Sequence, residues 1–162
     1  MALDKILEVL FLLLIANGAP ILATRWFPQW LDFRLDGGLN FVDGRPLLGT
    51  TKTWRGLLAS LALTPLAAAL LGYGWGAGLV AAAAAMLGDL LSSFTKRRLG
   101  IASSDMAVGL DQVPEALLPA LALTGFMALA WPEALIGALL FVLLEMPISR
   151  LLYRMGVRDR PY

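Results

Sequence analysis

Residues 75–100 read Trp75-Gly-Ala-Gly-Leu-Val-Ala-Ala-Ala-Ala-Ala-Met-Leu-Gly88-Asp89-Leu-Leu-Ser-Ser-Phe-Thr-Lys96-Arg97-Arg98-Leu-Gly100. An uncharged run stops at a carboxylate, and a serine pair and three consecutive cations follow it. A second carboxylate comes soon after, in Leu110-Asp111-Gln112. An acid at the edge of a membrane-deep segment marks a functional site by default, because its burial is costly. Carboxylates bind Mg²⁺, which in turn binds phosphate oxygens. Arginine and lysine neutralise what phosphate charge is left, arginine through its planar fork and lysine as a point charge. The pattern has the parts needed to hold a metal-bound polyphosphate at a membrane edge.

The rest of the chain has the same membrane character. Hydrophobic residues make up 59% of the 162, against roughly 45–50% in soluble domains, and they lie in blocks. Cysteine and histidine are both absent. That removes disulfides, thiolate ligands, the usual general base and the usual transition-metal ligand. Serine-hydrolase triads, zinc hydrolases and phosphohistidine chemistry are excluded. Carboxylates, cations, hydroxyls and hard metals remain.

The blocks predict an all-α integral membrane protein with five transmembrane helices, at about residues 6–23, 57–71, 75–90, 116–130 and 134–148. Each is near, or somewhat short of, the roughly 20 residues that cross a bilayer. The N-terminal segment carries acids as well as Lys5 and does not read as a cleaved signal peptide. Between the helices lie two long loops, residues 25–56 and 91–115, and a tail, residues 149–162. With five spans, nearly all cations fall on one side: Arg25, Arg34, Arg45, Lys52 and Arg55 in the first loop, Lys96, Arg97 and Arg98 in the second, and Arg150, Arg154, Arg158 and Arg160 in the tail. Lys5 alone is on the other. The positive-inside rule then puts the N-terminus outside, and both loops and the C-terminus in the cytoplasm. The expectation is a single membrane domain over residues 1–162, in the plasma or inner membrane, with its active face cytoplasmic. Gly74-x-x-x-Gly78 and the alanine run at 81–85 permit close helix packing, within one chain or across a homodimer. Pro65 and Pro119 are expected to kink the second and fourth helices.

Two loop segments carry the remaining candidates. In the first, Asp43-Gly44 signals a turn between short apolar runs, a small hairpin. Gly49-Thr-Thr-Lys52-Thr53-Trp54-Arg55-Gly56 then leads into the second helix, where free backbone N–H groups favour anions. Lys52 stands three residues after Gly49 and no strand precedes it, so this is not a P-loop; anchoring in the headgroup region is the plainer role for Lys52, Trp54 and Arg55. In the second loop, Asp89 and Asp111 flank the segment and can converge on a metal. Pro114 suits a first helical turn, and Glu115 reads equally as a helix N-terminal acid. Asn17 and Glu145 are polar positions within spans, and Glu145 is expected to pair with Arg150 or to reach the interface.

The segments Ser93-Phe-Thr-Lys-Arg-Arg-Leu-Gly100 and Leu110-Asp111-Gln112 resemble the membrane-embedded CTP-dependent cytidylyltransferases, and most nearly the small CDP-archaeol synthase family. Asn17-Gly-Ala-Pro20, Asp43-Gly-Arg45, Lys52-Thr-Trp-Arg-Gly56 and the tail Leu152-Tyr-Arg-Met-Gly-Val-Arg-Asp-Arg-Pro-Tyr162 are also similar to that family, in order along nearly the whole chain. The resemblance implies an Mg²⁺-dependent attack of a lipid phosphate on the α-phosphorus of CTP, releasing pyrophosphate. It implies Asp89, Asp111 and Lys96 as catalytic residues, and Asp89, Asp111 and Glu115 as metal ligands. Lys52, Thr53, Arg55, Ser93, Arg97, Arg98, Asp43, Asn17 and Gln112 would bind substrate. The partners implied are CTP and a lipid phosphate within the bilayer, and nothing points to nucleic acid. Two positions depart from the family pattern: Pro114, with Glu115 one residue later, stands where an acid is usual, and Thr50-Thr51 stands where Asp-Gly is common. The alternative reading is a non-catalytic membrane module that binds anionic lipid or nucleotide.

Overall fold

A computed structural model describes residues 3–161; Met1 and Ala2, and Tyr162 at the end of the family-like tail, lie outside it. Five helices follow in order: α1 (Leu3–Trp26), α2 (Trp54–Leu70), α3 (Gly74–Arg98), α4 (Gln112–Leu123) and α5 (Trp131–Arg154). They close into a ring in which each packs on its chain neighbour and α5 returns to α1. α1 also reaches α3 and α4, so it touches every other helix, while α2 meets neither α4 nor α5. The protein is all-helical, with two isolated β-bridges among the described residues.

α1, α3 and α5 are long and apolar enough to cross a membrane. α2 and α4, at 17 and 12 residues, are shorter; at 1.5 Å per residue α4 rises only about 18 Å. This corrects the fourth expected span, which ran to residue 130. The helix stops at Leu123, and residues 124–128 turn instead, with Ala128 at a φ of 45°. Met127 and Leu129 are buried in the core all the same. Hydropathy registers that burial but not the loss of helix. α5 then restarts at Trp131, with the Glu133 carboxylate accepting from the Ala130 N–H at 3.1 Å.

The third span is corrected in the other direction. α3 does not end at residue 90 but continues to Arg98, so Ser92, Ser93, Lys96, Arg97 and Arg98 are helical residues. Nothing in Leu-Leu-Ser-Ser-Phe-Thr-Lys-Arg-Arg breaks a helix, and the three cations fall in its last turn, where the helix dipole favours them. The second loop contracts to residues 99–111.

Small residues bring the backbones together. A methyl group on Gly78 would stand 2.2 Å from the Pro65 Cα, and one on Gly88 would stand 2.4 Å from the Pro114 carbonyl oxygen. Gly78 is therefore the point at which α3 lies on α2, as the small-residue pattern anticipated. Gly88 seats α3 against the start of α4. Val9, Leu12, Leu13, Leu123 and Phe141 fill the core among alanines of α2, α3, α4 and α5. α2 and α4 both run as continuous helices through Pro65 and Pro119.

The first loop, residues 27–53, is ordered by its own hydrogen bonds. The expected hairpin is present: Asn40 bridges Pro46, and Gly44 turns the chain at a φ of 77°. Asp36, 7% exposed, accepts from the N–H groups of Gly38, Leu48 and Gly49. The Leu35 N–H donates to the Lys52 carbonyl and the Trp54 N–H to that of Phe33. Lys52 is thus fixed from both sides at the threshold of α2.

Candidate active site

At the end of the bundle where α3 finishes and α2 and α4 begin, a cavity of about 690 Å³ opens between all five helices. α3 supplies one charged wall. Asp89, Ser93, Lys96 and Arg97 fall at i, i+4, i+7 and i+8, a single helical face, and all four line the cavity. Lys52 comes from the end of the first loop, Asp111, Gln112 and Glu115 from the first turn of α4 and its approach, and Asn17 from α1.

Within it stand two lysine–aspartate pairs. Lys52 Nζ donates to Asp89 Oδ1 at 2.5 Å. Lys96 Nζ lies 2.9 and 3.0 Å from the two Asp111 oxygens, and Asp111 also accepts from the Ala107 N–H at 2.8 Å. Both pairs are partly open to the cavity. Neither cation is sealed off from the cavity.

Other expected site residues are present with structural engagements of their own. Thr53 is the N-cap of α2, its hydroxyl accepting from the Gly56 N–H at 3.3 Å. Arg55 lines the cavity but its guanidinium is held by Asp32 at 2.8 Å and by the carbonyls of Phe27 and Pro28. Arg97 donates to Ser103 Oγ at 2.5 Å and to the Ala102 carbonyl at 3.1 Å. Asn17 donates to the Leu13 carbonyl at 3.0 Å and, at 3.5 Å, to the carbonyl of Glu115. The Gln112 side-chain oxygen accepts from the Gly109 N–H at 2.7 Å.

Two expected residues are not brought to the cavity. Asp43 and Arg98 pair with each other at 2.6 Å on the outer side of α3. The Arg98 guanidinium also lies over the rings of Phe41 and Phe94, 4.8 and 5.0 Å from their centroids. Arg98 follows Lys96 by two positions, which on a helix is about 200° of rotation, so the two cannot share a face. Gly49 of the first loop lies behind the cavity wall: at a φ of 102°, any Cβ there would stand 2.2 Å from Ser103 Oγ and 2.9 Å from the Arg97 guanidinium.

The Glu145–Arg150 pairing does not form among the described residues. Arg150 is exposed on the opposite side of α5, as five residues' spacing on a helix dictates. Glu145 lines the cavity, and the cation it faces there is Arg158 of the tail. Asp36 and Arg158 are the residues that sequence reading missed. Asp36-Gly37-Gly38 does carry a turn signal, whereas nothing in the sequence marks Arg158 apart from the tail's other arginines.

No group of three or more carboxylates is drawn close enough together to hold a metal ion by itself among the described residues. With no histidine or cysteine in the chain, the ligand atoms the cavity offers a metal are side-chain oxygens, among them those of Asp89, Asp111, Glu115 and Gln112. That suits a hard dication. Mg²⁺ is commonly held by one or two carboxylates together with substrate phosphates and water, and a pair of aspartates here meets that requirement. Glu115 reaches the cavity while the Pro114 backbone takes up the contact with Gly88.

Apolar spans around a charged, five-helix cavity define an integral membrane enzyme. A family model described as CarS-like, CDP-archaeol synthase, matches residues 71–162. The CDP-archaeol synthase of Aeropyrum pernix is 35% identical over 171 residues, covering 99% of this chain and 94% of that protein. That of Sulfurisphaera tokodaii is 35% identical over 155 residues, 92% and 90% of the two chains. A shorter match, to the Hyperthermus butylicus synthase, is 41% identical over 106 residues and covers 62% of this chain and 60% of that one. A solved structure described as an intramembrane enzyme for archaeal membrane lipid biosynthesis superposes with a TM-score of 0.70 at 29% identity, over 88% of this chain and 91% of its own. The chain belongs to the CDP-archaeol synthase family, whose members are CTP-dependent nucleotidyltransferases.

Proposed function

We propose that the protein transfers a cytidylyl group from CTP to a membrane lipid phosphate, giving a CDP-lipid and pyrophosphate. The observation that carries this reading is the pair of lysine–aspartate contacts, Lys52–Asp89 and Lys96–Asp111, facing one cavity at the end of the bundle. A phosphate oxygen of the lipid forms a bond to the α-phosphorus of CTP as the bond to the β-phosphate oxygen breaks. Such a transfer depends on positioning and charge neutralisation more than on covalent catalysis, which fits a chain without histidine or cysteine.

Lys52 and Lys96 bind the triphosphate by exchanging their aspartates for phosphate oxygens, and Arg97 adds positive charge along the same wall. Asp89 and Asp111, once released, are the residues to hold Mg²⁺, with Glu115 beside them. The bound dication would neutralise charge on the phosphates. Asn17 and Gln112 give the cavity its polar floor, and Leu14, Ile21, Phe141 and Ile148 give it an apolar side suited to lipid tails.

The reading includes five membrane crossings with the cavity on the cytoplasmic side. The cations of both loops and the tail gather at that end, as the positive-inside rule requires. Exposed Trp26 and Trp30 lie at that end and Trp75 and Trp131 at the other, forming two aromatic belts. The short α2 and α4 then need local thinning of the bilayer or cover from the loops.

Purified protein in lipid nanodiscs, given CTP, Mg²⁺ and either phosphatidic acid or its archaeal ether analogue, is expected to release pyrophosphate with one of the two. The release should stop on chelation of the metal and in Asp111→Asn. Binding of CTP without release from either lipid would overturn the assignment.

A further inference from the structure

The tail beyond α5 does not trail away from the bundle. Gly156, at a φ of 70°, reverses the chain, and the Val157 N–H donates back to the Leu152 carbonyl at 2.8 Å. Val157, Arg158, Asp159 and Arg160 then form part of the cavity wall. Arg160 secures the return by donating to the Ser104 carbonyl at 3.0 Å and to Asp105 at 3.2 Å on the loop between α3 and α4.

Arg158 differs from most of the cavity's other cations. Lys52, Arg55, Lys96 and Arg160 each have a carboxylate within ion-pair distance. Among the described residues Arg158 has none, and its guanidinium donates a single hydrogen bond, to the Ser149 hydroxyl. Glu145 and Glu115 favour its charge from farther off, but burial works against that charge more strongly. The cation is thus under-compensated, with most of its five N–H donors unused. Its position matters as well. Glu145, Ile148, Ser149 and Leu152 form one face of α5 in the cavity wall, and the Arg158 guanidinium meets that face at Ser149, between Ile148 and Leu152 in the chain. Lys52 and Lys96, assigned to the triphosphate, belong to the walls made by the first loop and α3.

We propose that Arg158 receives the phosphate of the lipid substrate, its fork gripping the headgroup while the tails pass along Ile148 and Leu152. This deepens the proposed function by assigning one phosphate to α5 and the tail and the other to the first loop and α3. A guanidinium fork on a phosphate is a strong, charge-assisted contact.

The test measures binding directly, with no need for turnover. Protein in detergent micelles is titrated calorimetrically with a short-chain phosphatidic acid and its ether analogue, and separately with CTP. In Arg158→Ala, lipid-phosphate affinity should fall about tenfold or more, as expected for a hydrogen-bonded charge contact, with CTP affinity changing less than about twofold. Retained CTP binding also shows that the variant is folded; Arg158→Gln, which can keep the bond to Ser149, replaces it if it is not. Arg158→Lys should recover part of the loss. The double variant Arg158→Ala, Glu145→Gln separates substrate binding from neutralisation of Glu145: it should stay defective. Unchanged lipid-phosphate affinity, an equal loss of CTP affinity, or recovery in the double variant would each overturn the assignment. If the wild type shows this binding pattern but releases no pyrophosphate, the proposed function fails and the role of Arg158 as a lipid-phosphate site stands.

Discussion

Lys96 and Arg98 are two positions apart at the end of α3, and both are paired with an aspartate. Lys96 faces the cavity, where its partner Asp111 is only partly buried and the pair opens onto space for a ligand. Arg98 faces outward, where Asp43, two aromatic rings and the carbonyls of Arg45 and Pro46 enclose its guanidinium. The same kind of ion pair therefore serves two purposes. On the inner face it leaves the cation open to a cavity, where the proposed function has a phosphate claim it, and on the outer face it clasps the first loop to the helix. What separates the two is how many other groups hold the cation.

The contrast is broken most directly by removing inner-face charges. Lys96→Ala and Asp111→Asn should each lower pyrophosphate release by about 10²-fold or more, the scale of losing a charged group from the reacting centre, while the protein still inserts and purifies as a folded monomer or oligomer. Full activity in both would mean that the inner face is no more functional than the outer.

Next come the contacts that shape the first loop across the inner face. Gly49→Ala places a methyl group against Ser103 and Arg97 at a φ that disfavours any side chain, and should cost about 1–3 kcal/mol in unfolding free energy. An unchanged thermal midpoint in detergent would show that the loop yields there. Asp36 offers a pH-dependent version. Burial pushes its carboxyl upward, but the N–H bonds from Gly38, Leu48 and Gly49 outweigh this and hold it below the usual carboxylate range. Its folded pKa is lowered, so its stabilisation is full above the ordinary aspartate value of about 4. It is lost as pH falls through the lower folded value. Wild type and Asp36→Asn should differ in thermal midpoint at neutral pH and converge in acid; a gap independent of pH would remove the carboxylate from its anchoring role.

The outer clasp should give the smallest effect. Arg98→Ala is expected to cost about 1 kcal/mol of stability, the combined scale of a partly exposed ion pair and cation–π contacts, and to leave pyrophosphate release within about threefold of wild type. A loss as large as that of Lys96→Ala would merge the two faces into one site.

Much of this arrangement was legible in the chain. The block pattern of apolar residues gave the five helices and the membrane, and the absence of histidine and cysteine restricted the chemistry. Most of the acid and cation motif lines the cavity at one end of the bundle, Arg98 excepted. Helix ends were less legible: Leu-Leu-Ser-Ser-Phe-Thr-Lys-Arg-Arg reads as loop by polarity but folds as helix, while Thr124-Gly-Phe-Met-Ala128 reads as span but turns. Hydropathy measures the free energy of burial, and these two segments set burial against backbone conformation.

Residue order determined by itself that the protein is built of apolar helices suited to a bilayer, and that its polar chemistry is limited to carboxylates, cations, amides and hydroxyls. Only the tertiary structure decided that Lys52 is fixed opposite Asp89, that Arg98 faces away from the site, and that the tail returns Arg158 to the cavity beside Glu145. Composition and period act along the chain, over one or two helical turns. Pairings across 37 residues of sequence, as between Lys52 and Asp89, depend on how five helices pack, and that packing is set by small residues such as Gly78 and Gly88, which carry no charge to announce it.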